Sequence, residues 1–183
     1  MSLIGKGVSI PASGGGGSDL DAFFDGSLTS LTSNATVIRP WTCYNYTTLL
    51  SASFPLAETI GDAAFCGCGS LASINFPSAK TVGQEAFRNA YFTTADFPSV
   101  ESIKNYAFRN VQPFTVLILR KNAVVNLQSN LAFSDTTFLT GRRGNGKVYV
   151  PQSLISSYQS GTGWQNLSYV DFLPIEGSIY EET

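Results

Sequence analysis

A short apolar repeat is the feature of this sequence that most limits its fold. A Phe-Pro dipeptide recurs at 54–55, 76–77 and 97–98, at steps of 22 and 21 residues. Four more apolar columns keep the same register: Phe65, Phe87 and Phe108; Ile60, Val82 and Ile103; Leu49, Leu71, Phe92 and Phe114; Ala52, Ile74, Ala95 and Leu117. A unit this short cannot bury its own apolar face, so successive units must stack around a shared core. The sequence from about 38 to 125 therefore predicts a solenoid.

Each unit reads as two short extended pieces joined by turns. Ile74 and Phe76 alternate as one face of a strand, and Pro77 ends that strand because proline cannot donate to a ladder. Thr81-Val82 is the second extended piece. The predicted fold class is thus a β-rich solenoid of about four to five coils of 21–22 residues, with parallel sheets and short helical caps.

Two polar columns fit this stack. Glu58, Lys80 and Glu101 share one position, so neighbouring coils present alternating charge. Gly67, Asn89 and Asn110 share another, where glycine and asparagine indicate a left-handed turn residue.

The ends of the chain divide into further segments. We expect an N-terminal arm with a glycine hinge at 1–17, a helical N-terminal cap at 18–37, the solenoid at 38–140, a C-terminal cap at 141–175 and a tail at 176–183. In the C-terminal cap, residues 148–150 read as the last strand and 152–160 as a short amphipathic helix. Trp164 is then the predicted core plug, with Val170 and Phe172 beside it.

Composition excludes several classes of chemistry. Eleven Lys and Arg against thirteen Asp and Glu give a net charge of −2, which argues against a nucleic-acid binder. The chain has no histidine, so Ser-His-Asp triads, Cys-His pairs and histidine metal sites are excluded. Cys43, Cys66 and Cys68 are an odd set without zinc spacing, and we expect buried free thiols. No cofactor and no enzymatic activity are predicted.

A glycine-rich string at 141–147 satisfies the phosphate-loop pattern GxxxxGK. Val148 stands where Ser or Thr would bind magnesium, and the following Tyr149-Val150-Pro151 cannot continue as a helix. The string therefore does not predict nucleotide binding.

Two units of the repeat carry a family resemblance. The segments AETIGDAAFCGCGSLASINFP (57–77) and AKTVGQEAFRNAYFTTADFP (79–98) resemble the BspA-type leucine-rich repeats, whose pattern is roughly TSIGxxAFxxCxSLTSVxFP. The segments at 23–40 and 148–167 resemble those that often flank such repeats. The resemblance implies a leucine-rich-repeat superhelix, and chains of this layout resemble those encoded by phages and prophages of Gram-positive gut bacteria.

Candidate binding residues are basic or aromatic. Arg88, Arg109, Arg142 and Arg143 are candidates for contact with an anionic polymer, joined by Arg120 and Lys121. Tyr44 and Tyr91, with Trp41 and Tyr46, are candidates for stacking on a sugar. The alternative is that the cations are only solvated and that the aromatic residues belong to coil edges.

The N-terminal arm offers a candidate assembly segment. Leu3, Ile4, Val8 and Ile10 are spaced to add an edge strand to a neighbouring subunit, tethered by the glycines at 14–17. A disordered N-terminus is the alternative. The arm favours contact with other virion proteins and a homo-oligomer within an assembly.

These features predict a non-enzymatic structural or binding protein. The resemblance implies a phage virion component in the tail, baseplate or head decoration, which attaches to a host-surface glycan or a protein partner. The first residues lack the apolar core of a signal peptide and no 18-residue apolar stretch exists, so we expect synthesis in the host cytoplasm and no membrane insertion. The alternative is a cell-surface or secreted bacterial adhesin built on the same repeats.

Overall fold

The computed structural model describes residues 7–10, 28–139, 146–167 and 170–181. Its strands are β1 (Gly7–Ile10), β2 (Ser30–Ser33), β3 (Val37–Ile38), β4 (Ser51–Ser53), β5 (Thr59–Ile60), β6 (Ser73–Asn75), β7 (Thr81–Val82), β8 (Thr94–Asp96), β9 (Ser102–Ile103), β10 (Val116–Ile118), β11 (Asn126–Leu127), β12 (Gly146–Val150) and β13 (Val170–Pro174). The helix α1 spans Ile155–Ser160, and 3₁₀ helices span Asn130–Phe133, Gln152–Leu154 and Trp164–Asn166.

Successive coils stack in parallel, as the repeat predicts. One sheet has the order β11-β9-β7-β5-β3, with Ile60 opposite Val82 and Val82 opposite Ile103. The other side of the coils carries two sheets, β1-β2-β4-β6 and β13-β12-β10-β8. The β-rich solenoid is therefore confirmed.

Phenylalanine rings run through the core as a continuous stack. Phe65, Phe87, Phe108 and Phe133 follow one another with centroids 5.5, 5.7 and 5.5 Å apart and ring planes within 9° of parallel. The phenylalanines of the Phe-Pro column, the Ile60 column and the Leu49 column are buried as predicted. Phe133 extends the stack beyond the predicted repeat, because its 3₁₀ helix places it one rung after Phe108.

Four successive turns each contain two left-handed residues. Gly67, Asn89 and Asn110 form the predicted column, and Asn45 adds a further member, with φ between 52° and 78°. A second column was not predicted and consists of Trp41, Ala63, Glu85 and Tyr106, with φ between 53° and 65°. No residue type in this column indicates a left-handed turn, since bulky and charged side chains disfavour that conformation.

The alternating charge column is also present. Lys80 Nζ lies 2.9 Å from Glu58 Oε2, and Lys121 pairs with Glu101 one rung further on. Lys121 lies outside the column, because Asn126 pairs with Ser102 and the position beside Glu101 therefore belongs to Val125.

The strands β6 and β8 belong to successive coils but do not pair with each other. These strands are not neighbours in any sheet, although both carry the Phe-Pro column. The turn before β8 is one residue short, since only Tyr91 separates Ala90 from Phe92 while two residues separate Cys68 from Leu71. Ile74, predicted to point inward like Ala52 and Ala95, packs against the core but is only half-buried, on the strand at the end of its sheet.

The C-terminal cap differs from the prediction in one respect. The last strand is β13 rather than 148–150, and it pairs in parallel with β12 so that Phe172 lies opposite Val148. The strand ends at Pro174, which cannot donate to a ladder. The predicted helix is present as a 3₁₀ turn followed by α1, and Trp164 is buried with its Nε1 donating to the Val125 carbonyl at 2.7 Å.

The predicted arm contributes a rung to this chain's own solenoid. β1 pairs in parallel with β2, with Val8 opposite Leu31 and Ile10 opposite Ser33. An edge strand on a neighbouring subunit was expected, whereas residues 7–10 continue the chain's own ladder. Leu3, Ile4, the glycine hinge and the cap helix predicted from Ser18 lie outside the described residues.

Candidate binding face

The turns of four coils form one face, which we call the turn face. It consists of the first and fourth turn residues: Trp41 and Tyr44, Ala63 and Cys66, Glu85 and Arg88, and Tyr106 and Arg109. Backbone hydrogen bonds hold successive turns in register, with Trp41 N donating to the Asp62 carbonyl at 3.0 Å and Ala63 N to the Gln84 carbonyl at 2.8 Å. Residues 21 or 22 positions apart therefore lie one above the other.

An aromatic pair stands at one end of the turn face. Trp41 is 58% exposed and Tyr44 is 44% exposed. Their ring centroids are 4.9 Å apart in an edge-to-face arrangement, with 62° between the planes. Both rings are thus held against each other while remaining open to solvent.

An ion pair lies two coils away. Arg88 Nη1 donates to Glu85 Oε2 at 3.0 Å. The pKa of Arg88 is raised, first by this hydrogen bond and by the charge of Glu85, with smaller contributions from Cys66 and Tyr44. The carboxylate of its own turn therefore holds Arg88 in place.

Arg109 has partners of its own on the next coil. Its Nε donates to Asp135 Oδ2 at 3.0 Å, and its guanidinium carbon lies 5.5 Å from the centre of the Tyr106 ring. The other predicted cations are paired as well, Arg120 with Asp96 and Lys121 with Glu101. These four cations therefore do not form a free basic patch.

The three cysteines are buried free thiols, as predicted. Burial raises the pKa of Cys68 to about 12, and its thiol donates to the Cys43 carbonyl at 3.0 Å. Burial also raises the pKa of Cys66, against the opposing effect of Arg88. Thiolate is the reactive form, so these groups act as small core side chains rather than nucleophiles.

The structure brings some candidates together and separates others. Tyr44 and Arg88 share the turn face with Trp41, and Arg109 continues it. Tyr91, 52% exposed, lies past the turn of its coil. Glu85 was missed because a lone carboxylate carries no signal before its left-handed turn and its arginine partner are known.

Other candidates lie elsewhere. Arg142 and Arg143 are outside the described residues, and Lys147 belongs to strand β12, as expected for a string that is not a phosphate loop. Among the residues described, no cluster of three or more Cys, Asp or Glu is placed to bind a metal ion. No helix in the described ranges has the length and apolar character to cross a membrane.

Comparison with known proteins agrees with the fold. No curated protein matches the sequence. A leucine-rich repeat protein from Bacteroides ovatus ATCC 8483 superposes with a TM-score of 0.57 at 19% identity, over 92% of this chain and 42% of that one. The chain thus spans about two fifths of that protein's length, and the likeness concerns the fold.

A family profile matches more than half of the chain. Residues 36–150 match the BspA type leucine rich repeat region, with six copies. The chain belongs to the BspA-type leucine-rich-repeat family.

Proposed function

We propose that this chain is a non-enzymatic binding protein that presents its turn face to a host cell surface as a component of a phage virion. The observation that supports a binding role is the solvent-exposed Trp41–Tyr44 pair on the turn face. Exposed, well-ordered aromatic residues are typical of recognition surfaces. Repeat solenoids act through such extended faces, because each coil adds a copy of the same surface.

The virion location is supported by the resemblance of the layout to phage-encoded chains, with the tail, baseplate and head decoration as candidate positions. The partners on that proposal are other virion proteins and a glycan or protein of the host surface. A bacterial adhesin built on the same repeats is the alternative location for the same binding role.

Mass spectrometry of gradient-purified particles induced from the source culture tests the location. We expect the chain at a stable ratio to the major capsid protein, and that ratio separates a head decoration from a tail tip. Recovery from the cell-wall fraction, with none in particles, would contradict the virion proposal and favour the adhesin. Shortening of a glycan by the purified protein would contradict the non-enzymatic role.

A further inference from the structure

We propose that the turn face binds an uncharged pyranose ring of a glycan, stacked on Trp41 and Tyr44 and hydrogen-bonded by Glu85 and Arg88. This inference rests on the proposed function, because it takes the turn face as the surface of contact. It names the ligand class and the residues that select it.

The backbone of Trp41 carries the first argument. Its φ of 65° is unfavourable for a bulky side chain, and glycine would suit the position better. Burial does not offset this cost, since more than half of the side chain is exposed. The fold therefore does not explain the indole at this position, whereas a ligand that stacks on it does.

The neighbouring coils supply the second argument. Ala63 and Cys66, which are small and buried, separate the aromatic pair from Glu85 and Arg88. Two coil steps span roughly 10 Å, twice the strand spacing. That span accommodates one sugar ring lying between an aromatic wall and a polar wall.

Charge selects the class of sugar. Glu85 and Arg88 neutralise each other, and Arg109 is neutralised by Asp135. An anionic polymer would have to compete with both carboxylates, whereas the hydroxyls of a neutral sugar can accept from the guanidinium and donate to the carboxylate. The C–H face of a pyranose meets the aromatic rings at the same time. The pairing therefore favours a neutral glycan over a teichoic acid.

Tryptophan fluorescence gives a direct test. Trp41 is exposed and Trp164 is buried, so a ring stacked on Trp41 shifts the solvent-exposed emission to shorter wavelength. The probes are maltotetraose, cellotetraose, chitotetraose and mannotetraose, against poly(glycerol phosphate) and oligogalacturonate. We expect saturable binding of at least one neutral probe, confirmed by calorimetry.

Matched variants decide the site. Trp41→Gly relieves the left-handed strain, so we expect a higher melting temperature together with at least tenfold weaker binding. Asn110→Gly relaxes an exposed left-handed residue outside the turn face, and we expect binding to be unchanged. Tyr44→Ala weakens binding by calorimetry, whereas Tyr91→Ala leaves it unchanged.

Three results overturn the inference: no binding of any neutral probe, tighter binding of an anionic probe, or undiminished calorimetric binding by Trp41→Gly. A chain that is recovered from virions but binds no saccharide keeps the proposed function and loses this inference. In that case a protein partner is the occupant of the turn face.

Discussion

Close approach between coils depends on single glycines. A Cβ at Gly61 would lie 2.5 Å from Pro40 N and 2.6 Å from the Ile38 carbonyl oxygen, both on the preceding coil. Gly83 stands in the same column, with a virtual Cβ 2.7 Å from Gly61 C and from the Ile60 carbonyl oxygen. These atoms belong to the backbone and cannot rotate away, so the column sets how tightly the coils stack.

Gly61→Ala should therefore destabilise the protein by about 1–3 kcal/mol, the usual cost of overpacking. The measurement is the urea midpoint of unfolding. Gly69→Ala is the matched control, because no atom lies within 4 Å of its virtual Cβ and the residue is exposed. Equal midpoints for the two variants would contradict the argument.

Burial at the thiols gives a second prediction at this scale. Thiol reagents require thiolate, and burial raises the pKa of all three cysteines, to about 12 for Cys68. At pH of about 8, near the ordinary thiol pKa, the native protein should react with Ellman's reagent orders of magnitude more slowly than the urea-unfolded chain. Rapid native labelling of Cys43 or Cys68, identified by peptide mapping, would show that the core is open.

At the scale of elements, one missing turn residue accompanies the open ladder between β6 and β8. The equivalent bonds elsewhere include Phe54 N to the Asn75 carbonyl at 2.9 Å and Ser73 N to the Leu50 carbonyl at 3.1 Å. By the same register, Phe76 N and Thr94 N are among the donors that would bond across a β6–β8 pair.

A serine inserted between Tyr91 and Phe92 restores the longer turn, so we expect β6 and β8 to pair. Hydrogen exchange should then slow at the amides of Phe76 and Thr94, since each gains a ladder bond. A serine inserted between Asn122 and Ala123, both exposed, is the control and should change neither amide. If the insertion variant folds and hydrogen exchange at Phe76 and Thr94 is unchanged, turn length is not the reason that β6 and β8 do not pair.

At the scale of the whole molecule, a solenoid depends on its ends, because each coil contacts only its neighbours. Trp164 covers the last coil, with its ring centroid 6.2 Å from Phe133, 5.2 Å from Tyr158 and 6.1 Å from Phe172. Residues 176–181, predicted as a tail, also pack back: the Tyr180 and Tyr149 rings lie 4.7 Å apart, and Arg120 donates to the Tyr180 carbonyl.

Trp164→Ala should lower the free energy of unfolding by about 3–5 kcal/mol. Amide hydrogen exchange should accelerate first in β11, β12 and β13, while the amides of β5 and β7 stay protected, because the coils unfold from the uncovered end. Trp41→Ala removes an exposed ring and should stay within about 0.5 kcal/mol of the parent. Uniform loss of protection along the chain would indicate a single cooperative unit instead.

The sequence alone determined the period of the chain and therefore its fold. A 21–22-residue spacing of apolar residues can be buried only by stacking, so the columns, the left-handed asparagine turns and the alternating Glu58–Lys80–Glu101 charges all follow from counting. Trp164 as a plug follows too, since the last coil must be covered.

Only the tertiary structure decided what happens between coils. The rung formed by residues 7–10, the added strand β13 and the gap beside Ile74 depend on lateral register, which small changes in turn length shift. The contacts on the turn face were also decided by the tertiary structure. Because a left-handed turn orients these side chains, the Trp41 ring contacts the Tyr44 ring and Arg88 forms an ion pair with Glu85. Spacing places residues in columns, but side-chain direction decides which of them touch.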